Sequence, residues 1–317
     1  EISLGLVGSE MCIRDRPGTL AENTFMVKFP RWTTSSPDGQ HLAFQAVGRI
    51  WIMDLPDGTP RRLTPENFEP FEMSPAWSPD GRSIAFTSWA DADQGHIWRI
   101  PANGGTPQQL TSTPGDYVNT AWSPDGGSIV VTRGSGATVH GRTVANNQTY
   151  DFARTPAAGG DPERITMVAR PWGGGRPLMP RRPLPQAWFG PDGRLFYPET
   201  VGPRDGDPAG TEIVSINLDG SDHRVHVMLP HADEAAVSPD GQWLAFQEGD
   251  NVYKMPLPYG GTGSKTALID RHKGQLPVTQ VSFEGGIHPR WSTTATLEFL
   301  SGHRYYSKYI NNATREE

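Results

Sequence analysis

One tripeptide recurs along this 317-residue chain: Pro37-Asp38-Gly39, Pro79-Asp80-Gly81, Pro124-Asp125-Gly126, Pro191-Asp192-Gly193 and Pro239-Asp240-Gly241. The prolines are 42, 45, 67 and 48 residues apart, and self-similarity at such a period marks a repeat architecture. Proline pre-sets φ for the second position of a type I turn, aspartate suits the third, and glycine takes the left-handed position that follows. A turn of this kind closes a short β-hairpin. Alternating runs follow it at Leu42–Phe44, Ile84–Phe86, Ile129–Val131, Leu195–Tyr197 and Leu244–Phe246. A third strand is predicted around Ile50–Ile52, Ile97–Ile100, Ile213–Ile216 and Val252–Met255. A second glycine turn then appears at Gly58, Gly104, Gly159, Gly220 and Gly260, before short outer strands such as Arg62–Thr64, Gln109–Thr111 and Arg164–Thr166. Four strands and two glycine hairpins make one blade of a β-propeller.

A sixth, degenerate unit begins at Trp291, where Trp291-Ser292 aligns with Trp77-Ser78 and Trp122-Ser123 and Leu297–Phe299 stands in the alternating strand. The expected fold is all-β, a six-bladed propeller over residues 17–317. Its blades lie near 30–66, 70–113, 117–168, 186–230, 232–270 and 287–317. The last blade is either incomplete, the natural chain continuing past Glu317, or closed by an N-terminal strand from Asn23 to Pro30; continuation is favoured. A β-sandwich also spaces its turns regularly, but not with one turn chemistry at a blade-length period.

Trp-Asp pairs do not close these blades. Aromatic-Ser-Pro-Asp-Gly, hydrophobic-Ala-Phe and an outer Leu-Thr instead resemble the TolB-like propeller repeat, from about residue 30 to 310. That resemblance implies the fold strongly and a function weakly, since such propellers often serve as accessory domains.

With 36 Gly, 30 Pro, 10 Trp and only 20 % charged residues, the composition suits a turn-rich globular repeat rather than disorder. The net charge of −7 gives no basic footprint for nucleic acid. No apolar run reaches the length of a membrane-spanning helix. Residues 1–16 lack the turn signature, resemble translated sequencing-adapter read-through, and carry the one cysteine, Cys12. They read as a leader foreign to the fold, and they fail as a signal peptide because Glu1 replaces a basic start.

The blades are unequal. From first to second turn glycine the distances are 19, 23, 33, 27 and 19 residues; from there to the next first turn they are 23, 22, 34 and 21. Blade three therefore carries insertions near Gly134–Tyr150 and Val168–Gln186. Both belong to loop classes that emerge opposite the Pro-Asp-Gly turns. Residues 133–194 hold nine Arg and no Lys against four acidic side chains. Arginine forks suit carboxylates and phosphates, and tryptophan offers a stacking face. His140, Arg142, Arg170, Trp172, Arg176, Arg181 and Arg182 are therefore the candidate docking face for an acidic partner, the alternative being a solvated, proline-stiffened loop. Glu66, Glu69, Glu72, Asp91, Asp93, Asp116, Asp233 and Glu234 gather on loops of the same face, where carboxylates solubilise loop tips more often than they hold a cation such as Ca²⁺.

Catalytic motifs are not found. There is no Gly-x-Ser-x-Gly elbow and no His-Glu-x-x-His pair. His223 and His226 sit three apart beside a strand, and Gly260–Thr266 departs from a phosphate loop at Ser264. No catalytic residue and no metal ligand is assigned, and no cofactor is expected in this chain. Leu276–Trp291, Leu297–Tyr306 and Gly136–Thr143 are similar to the propeller found ahead of bacterial amidohydrolase domains. The resemblance implies docking or substrate admission for a downstream metal-dependent hydrolase, which alone would carry a divalent metal, and a periplasmic or secreted location. A free-standing protein-binding or peptide-binding module, and the gate of a prolyl-oligopeptidase-type peptidase, are the alternatives.

Overall fold

The computed structural model describes residues 27, 29–142, 144–147, 149–169, 184–203, 208–257, 266–273 and 277–310. Six sheets, antiparallel but for one added strand, follow one another as the blades of a propeller. Blade one holds β1 (Arg31–Ser35), β2 (His41–Ala46), β3 (Arg49–Asp54) and β4 (Arg61–Arg62). Blade two holds β5 (Phe71–Trp77), β6 (Ser83–Ala90), β7 (Gln94–Pro101) and β8 (Gln108–Gln109). Blade three holds β9 (Tyr117–Trp122), β10 (Ser128–Gly134), β11 (Thr149–Pro156) and β12 (Glu163–Ala169). Blade four is built from β13 (Trp188–Phe189), β14 (Leu195–Val201), β15 (Gly210–Ile216) and β16 (Arg224–Leu229), and blade five begins with β17 (Ala232–Val237), β18 (Trp243–Glu248) and β19 (Asn251–Pro256). The chain then crosses back. β20 (Ala267–Leu268) adds to blade four as a parallel fifth strand on β16, and only β21 (Thr279–Gln280) completes blade five. Blade six shows three strands among the described residues: β22 (Ile287–Trp291), β23 (Thr296–Ser301) and β24 (Arg304–Tyr309). Asn23–Met26, part of the alternative closing strand, lie outside the described residues, but Val27 packs with Leu42, Phe44 and Ala46 of blade one against Tyr305 of blade six.

The turn glycines Gly39, Gly81, Gly126 and Gly241 take φ of 69–71°, the left-handed region where glycine has no steric cost. The serine before each proline is the other half of the device. In blade two, Ser78 Oγ donates to Asp80 at 2.6 Å and accepts from the Ser83 N–H at 2.9 Å, while Asp80 accepts from the Arg82 N–H at 3.0 Å. Ser36, Ser123 and Ser238 repeat the arrangement. The outer Leu-Thr pair also has a physical role: Leu110 N–H pairs with the Ile97 carbonyl, and Thr111 Oγ1 accepts from the Ile97 N–H.

Blades are joined by complementary sizes. On β1, β5, β9 and β17 the last residue but one is small and lies opposite another small residue: Thr34/Ala43, Ala76/Ala85, Ala121/Val130 and Ala236/Ala245. A tryptophan of the next blade covers three of these pairs and donates its indole N–H to the carbonyl of the small residue. Trp77 reaches Thr34 at 3.1 Å, Trp122 reaches Ala76 at 3.0 Å, and Trp291 reaches Ala236 at 3.1 Å. Three seams depart from this. Against Ala121/Val130 the next blade sets Phe189 in place of a tryptophan. In blade four the pair is Trp188/Phe196, and the next blade offers only Val237. In blade six the pair is Arg290/Glu298, and blade one offers Ser35.

Candidate functional site

In an antiparallel blade, the loops joining strands two to three and four to one lie at the end opposite the Pro-Asp-Gly hairpins. Most of the exposed large apolar side chains cluster at that end: Phe29 before β1, Val47 between β2 and β3, Phe71 at the start of β5, Val139 in the first blade-three insertion, and Phe283 between β21 and β22. Phe283 is 74 % and Phe29 70 % exposed. Val47 and Phe71 are neighbours, since a Cβ on Gly48 would meet the Phe71 ring at 2.7 Å. Among the described residues only Tyr309 is comparably exposed at the hairpin end, and Met167 is exposed along the outer strand β12.

The first insertion is an ordered platform on this face. Its Asn147 is buried and accepts from the Ala137 N–H at 2.8 Å, while its side-chain amide donates to Asp116 at 3.1 Å and to the Val144 carbonyl at 2.7 Å. Short 3-10 turns, Thr138–His140 and Val144–Asn146, hold exposed His140 and Arg142 at its rim. Arg170, Trp172, Arg176, Arg181 and Arg182 lie outside the described residues. The chain returns from that second insertion through Leu184 and Pro185, whose placement is set by blade three. Asn119 donates its amide to Pro185 O at 2.9 Å, and Thr132 donates its hydroxyl to the same carbonyl at 2.6 Å.

The predicted acidic ring separates into groups with other duties. Glu72 is fully buried: its carboxylate accepts from the Ile50 N–H at 2.7 Å and Thr64 at 2.6 Å, with Arg62 at 3.3 Å. Burial pushes the Glu72 carboxyl up against the pull of these donors. It fastens blade two to blade one and is no loop-tip charge. Asp116 is buried beneath the platform, and Glu234 binds His288 Nδ1 at 2.9 Å. Among the described residues no three His, Cys, Asp or Glu side chains gather as a metal would require. His223 and His226 diverge: His223 lies 3.7 Å from Glu199, whereas His226 stacks on Phe196 at 5.0 Å and meets Ser215 Oγ at 2.8 Å. Burial brings the His226 pKa down to about 4, so it is neutral at pH 7. It borders a cleft of about 100 Å³ with Pro191, Phe196 and Leu257.

Sequence reading missed the inner wall of the ring. Trp32, Ser74, Asn119 and His288 each stand four residues before the turn serine, and each has φ of 48–56°. Non-glycine residues in this region carry strain and persist only where their surroundings over-determine them. The surroundings are visible: the Trp32 indole donates to Asn119 Oδ1 across blade two at 2.9 Å, and the Asn119 N–H donates to Ser74 Oγ at 2.9 Å. The shared offset from the serine was the available signal.

Comparison with known proteins agrees with this architecture. Residues 14–156 match the family model of the TolB beta propeller domain. The fold is a TolB-like β-propeller. Over 91 residues the chain is 35 % identical to the uncharacterized protein Atu1656 of Agrobacterium fabrum, a match spanning 27 % of this chain and 30 % of that relative's length. A solved structure described as a TolB from Agrobacterium tumefaciens aligns with a TM-score of 0.58 at 19 % identity, covering 90 % of this chain and 91 % of that one. A gluconolactonase from Xanthomonas campestris aligns at 0.59 and 16 % identity, covering 90 % and 87 %. At such identities these neighbours share a fold with this chain, and nothing of their chemistry follows from it.

Proposed function

We propose that this TolB-like propeller is a non-catalytic docking module whose loop face engages another protein domain. The observation that carries the reading is one-sided apolar exposure. Phe29, Val47, Phe71, Val139 and Phe283 share the face on which His140 and Arg142 stand, and the adjoining Val47 and Phe71 form the start of an exposed apolar patch of the kind that marks interaction sites. Arg170, Trp172, Arg176, Arg181 and Arg182 join the proposal through the sequence alone, as interface-favoured residue types. The similarity of Leu276–Trp291 and Leu297–Tyr306 to amidohydrolase-linked propellers makes a downstream metal-dependent hydrolase the partner, in a periplasmic or secreted protein.

The test starts by reading the coding sequence past codon 317 and expressing any following domain separately. Association with the parent propeller is then compared with that of a Val47→Ser, Phe71→Ser, Phe283→Ser variant and an Arg176→Ser, Arg181→Ser, Arg182→Ser variant. Each is expected to fold and to bind at least about tenfold more weakly, as loss of interface anchors does. A Tyr309→Ser control at the hairpin end should bind as the parent does. A stop codon close after 317, or equal binding by all variants, overturns the reading.

A further inference from the structure

Arg290 occupies a position that the repeat reserves for small residues. Its counterparts are Thr34, Ala76, Ala121 and Ala236, with Trp188 in blade four. Its cross-strand neighbour Glu298 stands where Ala43, Ala85, Val130 and Ala245 stand. An ion pair would be the obvious reason for such a substitution, but the two do not pair. Glu298, buried, accepts the Ser35 hydroxyl of blade one at 2.5 Å. Glu234, the other carboxylate acting on Arg290, is held by His288 Nδ1 at 2.9 Å. Among the described residues the Arg290 guanidinium makes no hydrogen bond, ion pair or ring contact, although both carboxylates are near enough to favour its charge. It is partly open to solvent on the inner strand β22, beside the ring axis.

A half-buried guanidinium with an unclaimed fork is costly unless something takes it. The fork's five donors match the two oxygens of a carboxylate. We propose that Arg290 anchors a carboxylate-binding site on the inner wall of blade six. Its neighbours define the ligand further. Glu234 and Glu298 repel added negative charge, a phosphate dianion more than a carboxylate monoanion, so it is the match of the fork to two carboxylate oxygens that favours the ligand. With its carboxylates engaged by Ser35 and His288, the site orients Arg290 without saturating it. The site is separate from the loop-face reading and does not depend on it.

Binding of acetate, D-glucuronate and acetyl-diglycine to the full chain is measured by the ¹⁵N-detected shift of arginine Nε–H signals, with acetamide, acetyl-diglycine amide and inorganic phosphate as comparisons. The acids are expected to give one saturable arginine shift, acetamide and the amide none, and phosphate a weaker response. Tighter binding of D-glucuronate identifies a small sugar acid, and tighter binding of the free peptide acid a chain terminus; either sustains the proposal. Arg290→Ala gives blade six the residue of blades two, three and five. It should retain the parent's melting temperature or exceed it, while losing the shifted signal and about tenfold or more in affinity. Arg290→Lys keeps charge without the fork and should bind between the two. The proposal is overturned if no acid shifts an arginine signal, or if Arg290→Ala binds as the parent does. A sharp drop in its melting temperature with no acid binding by the parent would make Arg290 a structural residue instead.

Discussion

Blades two and four begin their first hairpin with the same Pro-Asp-Gly and end in different conformations. In blade two, Ser78 clasps Asp80, and only Gly81 is left-handed, at φ 69°. In blade four, Gly190 stands in the serine position, and both Asp192 and Gly193 are left-handed, at 58° and 68°. The difference originates one layer deeper. Blade two places Ala76/Ala85 beneath Trp122 of the next blade, whereas blade four places Trp188/Phe196 beneath Val237. The large residue has changed sides of the seam. A Cβ on Gly190 would lie 2.4 Å from the Phe196 ring, so the ring excludes serine and the turn loses its clasp. Seam volume therefore governs turn conformation, and the tripeptide alone does not.

The strongest way to break this comparison is Phe196→Ala. Phe196 is buried at 4 % exposure in the core shared with Val237 and Leu244, and truncation should cost about 3–5 kcal/mol, read as a fall in the urea midpoint. Gly190→Ser sharpens it. Alone, the added atoms meet the ring and should cost about 1–3 kcal/mol; in the Phe196→Ala background the cost should vanish or reverse, a coupling of about 0.5–3 kcal/mol. Additive effects of the two substitutions would separate the turn from the seam and undo the explanation.

A smaller effect is expected from the opposite direction, stripping blade two of its clasp. Ser78→Ala leaves the Ser83 N–H without its side-chain acceptor and Asp80 with only the Arg82 N–H as donor. The cost should be about 1–3 kcal/mol, with Gly81 still able to form the turn. Denaturant unfolding of Ser78→Ala beside Gly190→Ala would show blade two sensitive to loss of the hydroxyl, and blade four sensitive only to gain of bulk.

The blade count, the second strand of each blade and the third strand of blades one, two, four and five were legible because turn chemistry and alternation are local. Leu297–Phe299 was expected as the alternating strand of blade six and lies within β23. What lay beyond a local reading depended on partners distant in the chain. β20 reads as an ordinary outer strand of blade five, yet pairs with β16 of blade four because some twenty residues separate β19 from its true partner β21. Glu72 looks like a loop charge until the Ile50 N–H and Thr64 are brought to it from the neighbouring blade. Arg290 is unremarkable until the register aligns it with Ala76, Ala121 and Ala236. In a repeat protein, departures become visible only after each blade is superposed on the others by its hydrogen-bond register.

The smallest effect concerns acid. The Ser78 hydroxyl, followed by the Arg82 N–H, holds the Asp80 carboxyl below its ordinary value. Asp161 accepts from both N–H groups and both hydroxyls of Ser112 and Thr113, Thr113 first among them, and is brought down to about 2. A carboxyl with a depressed folded pKa adds stability that is complete above its unfolded value and lost as pH falls through the folded one. For Asp161 that window runs from the ordinary aspartate value of 3.8 down to about 2. Asp161→Asn should therefore flatten the loss of stability below pH about 4. Asp80→Asn should flatten it less, and Asp80→Asn should add nothing once Ser78→Ala has removed the main cause of the Asp80 shift. Glu72 acts with the opposite sign: its raised pKa means that ionisation costs stability as pH rises past its unfolded value of about 4.5. Glu72→Gln should remove that cost and should lower the melting temperature most at the acid end, where protonated Glu72 still holds Ile50 and Thr64. If Asp161→Asn leaves the acid limb as steep as the parent's, the seam between blades two and three is not held by this carboxylate, and other groups carry the acid sensitivity of the ring.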